Sequence, residues 1–283
     1  MQGVCVKFPY AKNPDIQLAL GPSFFLTEPS YAVAVLNWIW IYLHRNTSDD
    51  QKRVFVDIGM NAGFFTAFAS ALGAEVFSFE PQTACMNLGF NSVLLQKSEL
   101  HTHFYNVGIT SISSSFTTQG GKCDPGNVAI KGSGESRVQT INLASVWPPA
   151  CSPEIDMIKI DTEGSEISVI QGLFSFFEAR KVRAAVIEIT EPATRPQGGW
   201  TLFGASPEKG VAIFNKIESF GYELIYLWCE VYKPGHNRIN SLNLKIPGVQ
   251  CQGAANELEH VKAKDLLVHL RASTGGNYLL RRV

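Results

Sequence analysis

The sequence predicts an α/β fold built on an open, mostly parallel sheet with helices on both faces. Short apolar runs that end in an acid recur along the chain: Val54-Phe55-Val56-Asp57, Val76-Phe77-Ser78-Phe79-Glu80 and Ile155-Asp156-Met157-Ile158-Lys159-Ile160-Asp161. Each is followed by a turn and a segment of helical composition, and repeated strand–helix units of this kind build parallel sheets. The first unit carries a glycine turn, Gly59-Met60-Asn61-Ala62-Gly63, between strand and helix. That order places a ligand site at the carboxyl edge of the sheet.

The elements follow in chain order. Residues 1–30 contain Pro9, Pro14, Pro22 and Pro29 and no period, so a loose arm or lid is expected. Residues 31–45 read as a helix. Its apolar stretch, 32–43, is shorter than the roughly 20 residues a bilayer span needs, so it is expected to pack beside the first strand. A polar break at 46–50 separates this N-terminal arm and helix (1–50) from the main domain (51–283). There a strand at 53–58 leads to a helix at 62–72 that Gly73 stops. A strand at 75–80 leads to a helix opened by Pro81, and a third strand covers 102–108. Residues 110–136 break the alternation, with a β-like run over 109–118 and a glycine-rich loop after it, read as a short hairpin at the sheet edge. Further strands are expected at 137–143, 155–161, 182–188, 222–228 and 278–283, and helices at 164–172, 206–220 and about 262–271. Ser206-Pro207-Glu208 has N-cap, proline and acid in helix-start order.

Composition narrows the function classes. With 283 residues and 45% hydrophobic content the chain can bury one large core or two modest ones. A net charge of −1 leaves no basic footprint for nucleic acid. Six cysteines are scattered without a C-x-x-C pair or zinc spacing. They are expected to be reduced thiols, with Cys85 a small core residue in a helix. The N-terminus lacks a basic segment followed by an apolar run, so a cytoplasmic protein without a membrane span is expected.

Asp57 narrows the choice of ligand. Glu80 lies 23 residues beyond it, the spacing at which an acid accepts hydrogen bonds from ribose hydroxyls. A dinucleotide would set its pyrophosphate on the glycine turn, where the Asp57 carboxylate repels it. The same carboxylate suits a nucleoside whose tail carries an ammonium and a sulfonium, as S-adenosylmethionine does. An NAD-dependent dehydrogenase or epimerase would want no acid before the turn and a Tyr-x-x-x-Lys base, and neither is seen. A noncatalytic S-adenosylmethionine-binding protein is the other alternative. It would lose the acids near the sulfonium, and this chain keeps them.

Those acids lie in Lys159-Ile160-Asp161-Thr162-Glu163-Gly164-Ser165-Glu166. Asp161 ends a strand, Glu163 sits in the turn, and Glu188 ends the neighbouring strand. Glu166 falls in the first turn of the next helix, where an acid stabilises the helix dipole. A positioned carboxylate or histidine can take a proton from an acceptor hydroxyl. Asp161 is the first candidate, followed by Glu163, Glu188 and His236. Asp161 and Glu188 could instead hold Mg²⁺, but no third ligand is identifiable and the metal is not favoured.

VDIGMNAGFFT, FSFEP, IDMIKIDTEGSEISVIQG and AAVIEI together resemble the FkbM family of S-adenosylmethionine-dependent methyltransferases over about residues 53–190. The resemblance implies the class I methyltransferase (Rossmann-like) three-layer fold, with a mostly parallel seven-stranded sheet whose last strand is antiparallel. It implies O-methylation of a hydroxyl on a sugar, polyketide or other small molecule, hence a small-molecule or glycan acceptor. It maps Asp57, Gly59, Asn61, Gly63 and Glu80 onto cofactor positions and sets Asn106 near the adenine. Residues 1–50 and 229–276 fall outside the match and are expected to govern acceptor choice.

Overall fold

The computed structural model describes residues 4–7, 15–18, 35–36, 38–39, 41–43, 52–95, 97, 99–118, 123, 136–147, 150, 152–190, 206–227, 259–273 and 275–283. His236 and the expected arm segments between these ranges lie outside the described residues. Within the arm, β1 (Val4–Lys7) and β2 (Asp15–Leu18) pair antiparallel where a loose segment was expected. The described residues of 35–43 are helical. Val35, Leu36, Trp38, Ile39 and Leu43 are buried in one cluster with Phe55 of the first central strand, as expected.

The first central strand, β3 (Val54–Ile58), is buried along its whole length, which is the state of a strand covered on both faces of a parallel sheet. After it come α1 (Phe64–Ala71), β4 (Glu75–Phe79), α2 (Thr83–Leu95) and β5 (Thr102–Tyr105). The chain then leaves the main sheet for β6 (Gly108–Ile109), β7 (Ser114–Thr118) and β8 (Ser136–Ile141), and a short helix, α3 (Leu143–Val146). It returns through β9 (Met157–Ile160), α4 (Glu166–Gly172), α5 (Phe174–Glu178), β10 (Ala184–Thr190), α6 (Pro207–Ser219) and β11 (Tyr222–Leu227). The last elements are β12 (Glu259–Val261), α7 (Leu266–Ser273) and β13 (Gly275–Arg282).

The central sheet has the order β12-β11-β13-β10-β9-β3-β4-β5. Strands β10, β9, β3, β4 and β5 run parallel. The final strand, β13, lies antiparallel between β10 and β11. These are the seven expected strands with their antiparallel last one, and the edge strand β12 adds an eighth. From β3 the chain builds outward to β5 and then crosses back to lay β9 on the other side of β3, so β3 and β9 flank the switch point where open sheets bind ligands.

Side chains alternate across this sheet. Val56, Ile58, Ile158, Ile160 and Ile187 face α4, α5 and α6. Phe55, Met157 and Val186 face α1 and the N-terminal helical residues. The segment 110–136 corrects the expectation of an edge hairpin. β7 and β8 do pair antiparallel, but they form a separate sheet, with β6 parallel to β8, that does not extend the central one.

Candidate cofactor and active site

The glycine turn is locked from both sides. Gly59 has φ 78°, and a Cβ built on it would stand 1.8 Å from the Asp161 carbonyl oxygen. Gly63 has φ 82°, and its Cβ would stand 2.5 Å from the Gly89 Cα of α2. Glycine is required at both, for conformation and for space. Asn61 between them takes a left-handed φ of 52°, which asparagine tolerates better than most residues. The Gly59 and Met60 N–H groups both donate to the Phe79 carbonyl, which ties the turn to the end of β4.

Glu80, at that end, is 4% exposed. Its Oε2 accepts from the Asn61 N–H at 2.9 Å and its Oε1 from the Gln82 N–H at 2.8 Å. Each oxygen keeps a lone pair for a further donor. Burial pushes the Glu80 carboxyl up to about 7, against the pull of those two bonds. Asn106 sits just beyond β5. Its amide donates to the Glu80 and Pro81 carbonyls at 2.8 and 3.0 Å and accepts from Thr83 Oγ1. It thus holds the backbone that carries Glu80.

Asp57 is fully buried. Its Oδ2 accepts from Thr66 Oγ1 at 2.7 Å, while its Oδ1 finds no hydrogen-bond partner among the described residues. Burial raises its pKa, and the Lys159 ammonium works against that rise. A buried unpaired carboxylate oxygen is costly and is suited to a cationic group brought by a ligand.

Across the switch point, the Asp161 N–H donates to the Ile58 carbonyl at 3.0 Å. Its Oδ2 accepts from Lys159 Nζ at 2.8 Å, and its side chain stays 17% exposed. Glu163 occupies the following turn with φ 55°. Glu166 holds that turn in shape: its Oε1 accepts from the Thr162 N–H, the Thr162 hydroxyl and the Gly164 N–H at 2.9–3.0 Å. The helix-dipole reading alone misses this role: Glu166 is the first residue of α4 and accepts from the turn before the helix rather than from the helix itself. Glu188 is half-buried on β10. The Asp161 charge, and after it burial, raises its pKa well above the usual carboxylate range. Asp57, Asp161 and Glu188 are thus gathered with Lys159 at one end of three adjacent strands. The cation among them is the Lys159 ammonium, and no metal-binding group of three His, Cys, Asp or Glu occurs among the described residues.

One expectation is corrected outright. Cys85 and Cys123 form a disulfide rather than remaining reduced, with their sulfurs 3.7 and 3.2 Å from Asn61 Oδ1. The bond ties a residue of the glycine-rich segment to α2 beside the cofactor turn. Non-reducing peptide mapping should recover the Cys85–Cys123 cross-link. Its reduction should lower stability by ~4 kcal/mol on a chain-entropy estimate for a loop of this separation. Free thiols located at both Cys85 and Cys123 in the untreated, unfolded protein would overturn the pairing.

The model of the methyltransferase FkbM domain matches residues 57–224, more than half of the chain. The chain belongs to the FkbM methyltransferase family. As an FkbM protein it is an S-adenosylmethionine-dependent methyltransferase, with the Rossmann-like sheet described above. Among curated proteins none matches it. Solved structures similar to it include a SAM-dependent methyltransferase from Agrobacterium tumefaciens, at 9% identity over 100% of this chain and 70% of that one, with a TM-score of 0.44. The precorrin-6y C5,15-methyltransferase of Geobacter metallireducens shares 10% identity over 89% of each chain, with a TM-score of 0.40. The N-terminal domain of human METTL16 in complex with SAH shares 13% identity over 63% of this chain and 62% of that one, with a TM-score of 0.36. Among the described residues of this FkbM protein, no helix is long and apolar enough to cross a membrane. The cradle fits the family's methyl donor on two counts: an orphaned carboxylate oxygen for a cationic tail, and a buried acid with spare lone pairs for a ribose.

Proposed function

We propose that this chain methylates a hydroxyl of a small molecule or glycan, a sugar or polyketide among them, with Asp161 as the general base. The observation that carries the reading is the place of Asp161. Its backbone closes on the glycine turn, while its carboxylate keeps one oxygen held and the rest of the side chain partly open.

In this reading Gly59, Asn61 and Gly63 bring backbone close to the donor, Glu80 takes the ribose hydroxyls, and Asp57 Oδ1 faces the cationic tail. Asn106 fixes Glu80 and borders the adenine. S-adenosylmethionine supplies an electrophilic methyl group, and methyl transfer is an in-line displacement at carbon. The protein's main task is therefore to hold the acceptor on the far side of that group. An unactivated hydroxyl must lose its proton as the new bond forms, and Asp161 takes it. Glu188, biased toward its neutral acid, is suited to donate a hydrogen bond to the acceptor, and Glu163 in the adjoining turn is the second candidate base. Incubation with hydroxylated acceptors and a methyl-labelled donor, read by mass spectrometry, tests the reading. Label on an acceptor oxygen supports it, whereas transfer only to carbon or nitrogen, or to nucleic acid, contradicts it. Activity lost in EDTA and restored by Mg²⁺ would replace the unassisted base with a metal held by Asp161 and Glu188.

Glu80 makes cofactor affinity depend on pH. The ribose hydroxyls bind its ionised form, and in the free protein that form is lost below about pH 7. Affinity measured by calorimetry should therefore fall as pH drops from 8 to 6. Glu80→Ala should bind roughly ten- to a hundredfold more weakly, because charge-assisted hydrogen bonds contribute about 1.5–3 kcal/mol, and it should lose the pH dependence. Unchanged affinity in the variant would remove Glu80 from the site.

A further inference from the structure

Lys159 is the one charged side chain of an otherwise apolar strand that is buried at every position. It is 3% exposed, its ammonium stands 2.8 Å from Asp161 Oδ2, and it lies over the Phe65 ring at 4.7 Å from the centroid. Residues two apart on a strand share a face, so Lys159 sits directly beneath Asp161. In register it stands beside Asp57 of the adjacent strand β3, and Glu188 extends the same face on β10. An apolar side chain of similar volume would fill this space without desolvating a charge, and such replacements are often neutral or stabilising. Stability alone does not account for an ammonium here.

We propose that Lys159 is a positioning residue for methyl transfer: its buried ammonium fixes one oxygen of Asp161 so that the other faces the acceptor. This inference rests on the reading of Asp161 as base. A carboxylate at a strand tip can turn about its terminal torsion and present either oxygen at a range of angles. The ammonium removes that freedom by anchoring Oδ2 from below, where the Phe65 ring and the sheet hold the lysine itself. The exposed part of the carboxylate is then oriented before any acceptor arrives, and a misplaced base can cost on the order of 10²-fold in rate.

The test is a double-mutant cycle of Lys159→Met and Asp161→Asn, with thermal midpoint and S-adenosylmethionine affinity checked for each folded variant. Lys159→Met should lower kcat by about 10²-fold, with the acceptor KM within a few-fold of wild type. Lys159→Gln, which keeps an N–H donor toward Asp161, should recover part of the loss, and it takes the place of Lys159→Met in the cycle should the latter not fold. In the Asp161→Asn background the Lys159 substitution should change kcat by less than about threefold, since it acts through a group already disabled. An unchanged kcat in the folded Lys159 variant, or the same fold-loss in both backgrounds, would overturn the inference while leaving the base reading intact. Near-normal turnover in Asp161→Asn alone would instead overturn the base reading.

Discussion

Turnover of Asp161→Asn should fall by about 10²–10⁴, while affinity for S-adenosylmethionine stays within a few-fold of wild type. The amide is nearly isosteric, and its oxygen can still accept from the Lys159 ammonium that now holds Oδ2, so the strand tip should keep its shape. What the variant loses is the capacity to take a proton. Single-turnover rates with a labelled methyl donor, set beside calorimetric affinity, separate the roles. A fall in affinity parallel to the fall in rate would make Asp161 a counter-charge for the cofactor rather than a base. A variant near normal in both would discharge Asp161 from every role assigned to it, and Glu163 in the adjacent turn would be tested next.

Gly59→Val should abolish measurable cofactor binding and destabilise the domain by roughly 2–6 kcal/mol, from a left-handed backbone and overpacking together. The geometry leaves little room to escape. The Asp161 carbonyl oxygen that the new Cβ would meet at 1.8 Å belongs to backbone, and the same residue's N–H is bonded to Ile58 of β3. Relief therefore requires β3 and β9 to part at the switch point. A thermal melt and a binding isotherm check both consequences. A folded variant with a wild-type melting midpoint and normal binding would show that the turn is not the cofactor's seat.

Much of this site was legible before any coordinates. The strand–acid–turn–helix order fixed where Asp57, Gly59 and Glu80 had to lie, because a parallel strand tip and the glycines after it leave few arrangements. The pairing of Gly59 with the Asp161 backbone was not legible, since it depends on which strand lies beside β3. The Cys85–Cys123 bond was hidden for a similar reason: the partners are 38 residues apart, and Cys85 on a helix reads equally well as a buried thiol. Asn106 was expected beside the adenine, and the structure adds that its amide is engaged with the Glu80–Pro81 backbone and Thr83. Lys159 left a signal that sequence reading passed over, a lysine inside a run of Ile and Met too apolar to be exposed. The separate sheet of β6, β7 and β8 was the least legible element, because two-residue β6 and polar β7 carry no alternation strong enough to choose a partner.

Isothermal titration of the wild-type chain with S-adenosylmethionine and, separately, with NAD tests the central claim most directly. The orphaned Asp57 oxygen and the ribose-ready Glu80 predict saturable binding of S-adenosylmethionine at one site per chain and none of NAD. Saturable binding of NAD with no heat from S-adenosylmethionine would contradict the account at its base.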